Sequence, residues 1–144
     1  MDLGIAGRKA IICASSKGLG RACAIALAEA GCEITLNGRD LDLLNATASE
    51  IQTNFRVNVN IVQGDISDPK TQSGLIEACP EPDILINNNG GPPPTDFRNL
   101  DRNAILSGVV QNMITPIELI QRTIDGMTRR EFGRIINITS ASVR

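Results

Sequence analysis

The chain has 144 residues, the size of one domain, and its core must come from Ile, Leu, Val and Ala because only three Phe and no Trp or Tyr are present. A formal net charge of −2 argues against nucleic acid as a partner, and the absence of His excludes a histidine base or a histidine metal ligand. The four Cys lack C-x-x-C spacing, so we expect no metal site and interpret them as reduced, buried thiols of a cytoplasmic protein.

The first residues contain neither the basic nor the apolar segment of a secretion signal. No stretch approaches the roughly 20 apolar residues that a membrane span requires. We therefore expect no membrane partner.

Apolar runs separated by Gly, Pro and Asp predict strands and helices in alternation. Strands are predicted at 9–14, 33–37, 57–63, 83–86 and 134–139. Helices are predicted at 19–30, 40–53, 68–79 and 101–129. Asp40 and Asp68 are candidate N-caps, and Gly31 ends the first helix.

This alternation runs through residues 1–144 without a linker or repeat, so we predict one domain. Successive strand–helix–strand units predict a parallel sheet with helices on both faces. Right-handed crossovers then favour a doubly wound, Rossmann-type α/β fold with about five strands.

The loop between the first strand and the first helix contains two glycines, Gly18 and Gly20. Glycines here let the backbone approach a diphosphate, and the helix behind them offers unpaired N–H groups and the positive end of its dipole. A tight strand–helix turn without a ligand is the alternative.

Two cations follow the first and second strands. The second strand ends without the acidic residue that binds the ribose 2′-hydroxyl of NAD, whereas Lys17 and Arg39 could converge on the 2′-phosphate of NADP. Two ordinary surface cations are the alternative, and Asp40 could pair with Arg39 or take the NAD role. We predict NADP rather than NAD.

Residues 13–20 resemble the T-G-x-x-x-G-x-G motif of the short-chain dehydrogenase/reductase family. Gly18 and Gly20 match two of its glycines, and Ala14 replaces the first, which places a Cβ near the turn. The resemblance implies that Asp65 and Ile66 hold the adenine, with a helix-capping Asp65 as the alternative.

Residues 87–90 are similar to the N-N-A-G motif of the same family, with Asn89 in place of Ala. Pro92, Pro93 and Pro94 follow in a G-G-P-P-P loop, which either shapes a substrate pocket or forms a rigid turn. Together, the glycine loop, the two cations and the family resemblance predict the cofactor-binding residues Ala14, Ser16, Lys17, Gly18, Leu19, Gly20, Arg39, Asp65, Ile66, Asn88, Asn89 and Gly90.

For catalysis, the resemblance assigns Ser140 to polarising the substrate oxygen and Asn112 to a proton-relay water. Thr139 and Ser142 compete with Ser140 for this role. Pro116 lacks the N–H that a helix would direct at the Asn112 carbonyl, which predicts a kink and a free carbonyl there. Alternatively, Pro116 starts a second helix and Thr115 lies outside both.

The family's Tyr and the Lys that follows it are missing from this chain, which corresponds to a little over half of a family member with seven strands. The expected function is that of an NADP(H)-dependent carbonyl reductase or alcohol dehydrogenase, similar to 3-oxoacyl-thioester reductases. A non-catalytic NADP(H)-binding module or an inactive fragment is the alternative, and a Rossmann methyltransferase is disfavoured by the loop. Partners are expected to be a small carbonyl or alcohol and further copies of the chain, since the last strand has an open edge.

Overall fold

The structure is a computed structural model, and it describes residues 2–91 and 95–139. The strands are β1 Lys9–Ile12, β2 Glu33–Gly38, β3 Val59–Gln63, β4 Ile84–Asn87 and β5 Arg134–Asn137. The helices are α1 Gly18–Glu29, α2 Leu41–Phe55, α3 Pro69–Ala78, α4 Arg102–Val109 and α5 Thr115–Arg129. A short 3₁₀ turn at Phe97–Asn99 precedes α4, and a π turn at Val110–Ile114 joins α4 to α5.

The strands of the described residues form one parallel sheet in the order β3-β2-β1-β4-β5. The predicted Rossmann-type α/β fold is therefore confirmed. The chain order reverses between β1 and β4, and the crevice outside the carboxyl ends of the strands at such a switch point is where open α/β sheets bind ligands.

Alternating side chains of the sheet build a core on each face. Ala10 and Ile12 of β1 face a cluster that includes Ala24, Ala28 and Leu44 of α1 and α2. On the other face Ile11 and Cys13 join Leu75 of α3 and Leu119 and Met127 of α5. Period-two alternation along strands between two helical layers explains why the strands read as continuous apolar runs.

Aspartates set the starts of three helices, two of them as predicted. The Leu43 N–H donates to Asp40 Oδ1 at 3.1 Å, and the Lys70 N–H donates to Asp68 Oδ1 at 2.9 Å. Asp101 caps α4 in the same way. Each bond satisfies one of the amides that the first turn of a helix leaves unpaired.

The long helical region predicted at 101–129 is present, but its middle differs from both predictions. The backbone stays right-handed helical through Ile114 and Thr115, and the irregularity takes the form of the π turn. The alternative that placed Thr115 outside both helices is wrong, because α5 begins at Thr115. Within the described residues no helix is both long and apolar enough to cross a bilayer.

Candidate functional site

A cleft of about 210 Å³ opens at the carboxyl ends of β1, β2, β3 and β4. Nine of the twelve residues predicted to bind a cofactor line it: Ala14, Ser16, Lys17, Arg39, Asp65, Ile66, Asn88, Asn89 and Gly90. The other three predicted residues, Gly18, Leu19 and Gly20, form the start of α1 beside it. The chain therefore gathers side chains from four separate loops at one edge of the sheet.

The glycines of the first loop have two distinct structural roles. Gly18 has a φ of +59°, in the left-handed region that favours glycine, and among the described residues no atom beyond its chain neighbours lies within 4 Å of the position a Cβ would take. At Gly20 a Cβ would lie 2.4 Å from the Ala14 carbonyl oxygen. Gly18 thus allows the turn and leaves space in front of it, whereas Gly20 allows α1 to pack closely on the end of β1.

The first turn of α1 has neither a side-chain cap nor an acidic residue. Lys17 occupies the N-cap position, and its side chain makes no capping hydrogen bond. Amides at such a helix start are the usual partners of a phosphate group.

Ala14 adopts a strained backbone conformation where the family motif has glycine. Its φ is +46°, which a residue with a Cβ adopts only at a cost of about 1 kcal/mol. Two asparagines hold it: its N–H donates to Asn37 Oδ1 and its carbonyl accepts from Asn88 Nδ2, both at 3.3 Å. The replacement of glycine therefore leaves the left-handed turn in place.

Asn37, which the sequence analysis did not single out, is a central residue of this edge. It is 1% exposed, and its Nδ2 donates to the carbonyls of Val62 and Gly64 at 3.1 and 3.2 Å. Its backbone N–H donates to Ser15 Oγ at 3.0 Å. The signal in the sequence was a polar residue at the end of an apolar strand.

The two cations predicted to meet a 2′-phosphate line the same cleft. Lys17 and Arg39 are both exposed, and neither takes part in the ion pairs found among the described residues. Asp40 is engaged in capping α2 rather than in pairing with Arg39. The cleft therefore has two positive charges and no ion pair that neutralises either of them within the part of the chain that the structure describes.

The pair predicted to hold the adenine lines the same cleft, in the loop after β3. Asp65 Oδ1 accepts a hydrogen bond from the Ser67 N–H at 2.9 Å, and Asp68 caps α3 instead of Asp65. Ile66 is 3% exposed and borders both this cleft and its neighbour.

A neighbouring cavity of about 350 Å³ lies between the ends of β4 and β5 and the π turn. Asn87 Nδ2 donates to Asn137 Oδ1 at 2.8 Å. Asn87 Oδ1 and Thr115 Oγ1 are buried without a hydrogen-bond partner among the described residues. Burial raises the pKa of the Cys13 thiol from 9.0 to about 12, so this lining residue is neutral at physiological pH.

The two predicted catalytic residues have different outcomes. Asn112 borders this cavity, and its side chain donates to the Gly108 carbonyl of its own helix at 3.0 Å. Ser140 lies outside the described residues, as do Pro92, Pro93 and Pro94.

Asn89, the departure from the family motif, joins the two cavities. Its Nδ2 lies 3.3 Å from Ser67 Oγ and 3.2 Å from the Gln111 carbonyl oxygen. It borders both cavities, and also a third of about 380 Å³ beside α4.

The sheet order, the glycine turn and the cleft at the switch point define a Rossmann-type α/β protein. The family model described as "short chain dehydrogenase" matches residues 8–144, and the chain belongs to that family.

Known members of the family that match this chain are longer than it is. It is 32% identical over 136 residues to the NADPH-dependent reductase BacG of Bacillus subtilis, covering 91% of this chain and 52% of BacG. The crystal structure of L-sorbose reductase from Gluconobacter frateurii, a complex with NADPH and L-sorbose, superposes with a TM-score of 0.92 at 29% identity, covering 98% of this chain and 55% of that one. The human protein named inactive hydroxysteroid dehydrogenase-like protein 1 is 29% identical over 141 residues, covering 94% and 43%. The chain thus spans about half the length of the curated relatives it matches.

Proposed function

We propose that this chain forms the NADP(H)-binding part of an oxidoreductase that acts on a small carbonyl or alcohol. The observation that carries the proposal is the cleft at the switch point of the sheet, where a glycine turn and two cations without an ion-pair partner among the described residues meet. BacG is named an NADPH-dependent reductase, and the L-sorbose reductase structure contains NADPH, which supports the choice of NADP over NAD.

The residues at this edge fit such a dinucleotide group by group. The amides of Gly18, Leu19 and Gly20 would hold the diphosphate, because the turn leaves open space there and no side chain caps the helix. Lys17 and Arg39 would hold the 2′-phosphate, since charge-assisted hydrogen bonds to phosphate are the strongest that these side chains form.

The remaining predicted contacts lie further along the cleft. Asp65 would accept a hydrogen bond from the adenine amino group, and Ile66 would pack on the ring. Asn88, Asn89 and Gly90 would border the nicotinamide ribose, with Ala14 and Ser16 lining the cleft between the two ends. When bound, the nicotinamide donates or accepts the hydride.

In the parent enzyme Ser140 would polarise the substrate oxygen by donating a hydrogen bond, and the backbone of Asn112 would hold a relay water. The chain has no Tyr, the family's usual proton donor, so we expect the 144-residue polypeptide alone to have little or no turnover. The parent substrate is proposed to resemble a 3-oxoacyl thioester.

A non-catalytic NADP(H)-binding module is the second candidate. The relative named inactive hydroxysteroid dehydrogenase-like protein 1 favours it. Binding of NADPH without turnover of any ketone in a panel, by a polypeptide that also carries the remaining strands, would select this candidate.

We also propose that the parent is a cytoplasmic homo-oligomer. Large apolar side chains are exposed on the π turn, α5 and β5: Met113, Ile114, Ile117, Ile124 and Ile136. Such a surface is typical of a face that other protein segments cover.

The central test is the cofactor preference of the cleft. NADPH should bind more tightly than NADH, and Arg39→Asp should weaken NADPH binding by about 10- to 100-fold, since hydrogen bonds between charged groups contribute about 1.5–3 kcal/mol. Fluorescence titration of each nucleotide measures this. Arg122→Asp is the matched control, because Arg122 is exposed on α5 and does not line the cleft. Equal affinities of the unaltered chain for NADPH and NADH would reject the proposal.

A further inference from the structure

The π turn changes which carbonyl Pro116 leaves without a helical donor. In an α-helix each N–H donates to the carbonyl four residues earlier, but the Thr115 N–H donates to Val110 O, five residues earlier. The Thr115 N–H would donate to the Gln111 carbonyl in an α-helix, so in this structure the Gln111 carbonyl does not receive that hydrogen bond.

The next donor is missing as well. In the π pattern the Gln111 carbonyl would accept from residue 116, and Pro116 has no N–H. Both helical donors of this carbonyl are therefore unavailable, one through the register and the other through the proline. A carbonyl in this state needs another partner, because leaving it without one costs about as much as a lost hydrogen bond.

Asn89 supplies that partner from a different part of the chain. Its Nδ2 lies 3.2 Å from Gln111 O, and the same nitrogen lies 3.3 Å from Ser67 Oγ. An amide nitrogen carries two hydrogens, so it can donate to both. The Ala found here in the family motif could donate to neither.

We propose that Asn89 is a positioning residue that replaces the hydrogen bond removed by Pro116, and so holds the π turn and Asn112 against the cavity wall. The contact connects the loop after β4 to the helical wall, two elements that both border the proposed nicotinamide end. The consequence for nucleotide binding rests on the proposed function, whereas the consequence for the helix register rests on the hydrogen bonds alone.

A double-mutant cycle between Asn89 and Pro116 tests this, because Pro116→Ala restores an N–H at residue 116. Asn89→Ala should raise the amide exchange rate of residues 107–118 by about tenfold, the effect of losing one buried hydrogen bond. In the Pro116→Ala background, Asn89→Ala should change the exchange rate of residues 107–118 less than about threefold, because the restored N–H of residue 116 can donate to the Gln111 carbonyl. Hydrogen exchange with mass spectrometry on the 144-residue chain measures both rates.

Two further variants strengthen the experiment. Asn89→Asp keeps the shape and removes the donor, so it should reproduce Asn89→Ala and serves where that variant does not fold. Asn60→Ala is the matched control: its Nδ2 donates to the Ala78 carbonyl at 3.2 Å on the far edge of the sheet, and its loss should leave exchange at 107–118 unchanged.

Equal effects of Asn89→Ala in both backgrounds would overturn the inference, since they would show that Asn89 acts without regard to the proline. NADPH titration of the same variants separates the two proposals. Coupling in exchange with no NADPH binding by any variant would reject the function and support the positioning role. NADPH binding without coupling in exchange would support the proposed function and reject the positioning role of Asn89.

Discussion

Two groups of buried polar residues differ in how many of their hydrogen bonds are made within the chain. One group lies at the carboxyl ends of β1, β2 and β3, and the other lies at the end of β4 and the start of α5. Asn37 joins the loop after β1 to the end of β3, and Ser15 and Asn37 bond each other in both directions. Beside β4, Asn87 Oδ1 and Thr115 Oγ1 are equally buried but have no partner among the described residues. The polar groups of the cleft are therefore bonded within the chain, whereas the neighbouring cavity has buried side-chain oxygens without a partner among the described residues.

This difference agrees with the proposed placement of the cofactor, whose diphosphate and adenosine would lie at β1, β2 and β3 and whose nicotinamide would lie near β4. A fully bonded polar network fixes one geometry, which suits a fixed diphosphate and adenosine subsite. Buried groups without partners cost stability, and in native proteins they are concentrated where a ligand or ordered water completes them. The β4 side is therefore where we expect binding to change the structure most.

The largest effect should come from breaking the completed side. Asn37→Ala removes one acceptor and two donor bonds and leaves the Ala14 N–H and the Val62 and Gly64 carbonyls without this partner. We expect a loss of about 3 kcal/mol in the free energy of unfolding, measured by urea denaturation. Asn60→Ala, at an exposed position, should cost less than about 1 kcal/mol. Similar losses of unfolding free energy in the Asn37 and Asn60 variants would contradict the claim that the Asn37 network makes a special contribution to stability.

A steric change at the same side should have the next largest effect. Gly20→Ala places a Cβ against the Ala14 carbonyl, so α1 must move away from β1, at a cost of about 2 kcal/mol and with weaker NADPH binding. Gly74→Ala within α3 is the control: its Cβ would meet Val62 at an ordinary 3.4 Å, and helix propensity favours the change. Unaltered stability and affinity of the Gly20 variant would contradict the close packing described for this turn.

The smallest effect should come from the β4 side. Thr115→Val removes a buried hydroxyl that has no partner among the described residues, and with it the cost of burying that hydroxyl, so the free energy of unfolding should rise by about 1 kcal/mol. The urea midpoint of the variant measures it. A loss near 2 kcal/mol would show that this hydroxyl is bonded after all, and the contrast between the two sides would disappear.

Much of the fold follows from patterns that are local in the sequence. Apolar runs and aspartate caps predicted the five strands and the helices α1, α2 and α3 to within a few residues, because caps and buried strands depend on near neighbours. They predicted one helical region where the structure has α4, the π turn and α5. The predicted first strand extended to residue 14, whereas β1 ends at Ile12, since the left-handed backbone of Ala14 turns the chain away from the sheet. The cleft lining was predictable because parallel strands bring their carboxyl ends to one edge.

Contacts between distant residues were not predictable in the same way. The bonds of Asn37 reach residues 25 and 27 positions away, and the bond from Asn89 to Gln111 spans 22. The π turn could not be predicted from the local sequence, because Pro116 removes a donor there and the side chain that donates to Gln111 O comes from Asn89, in a distant loop. Pro116 alone indicated an irregularity but not its form.

A π turn holds one residue more than the α-helical turn it replaces, so residues after Val110–Ile114 are rotated by about 100° relative to an uninterrupted helix. The buried face of α5, which contains Leu119, Thr123 and Met127, is therefore not a continuation of the apolar face of α4. A gene with one codon deleted there would shift α4 around its axis while leaving the core contacts of α5 in register.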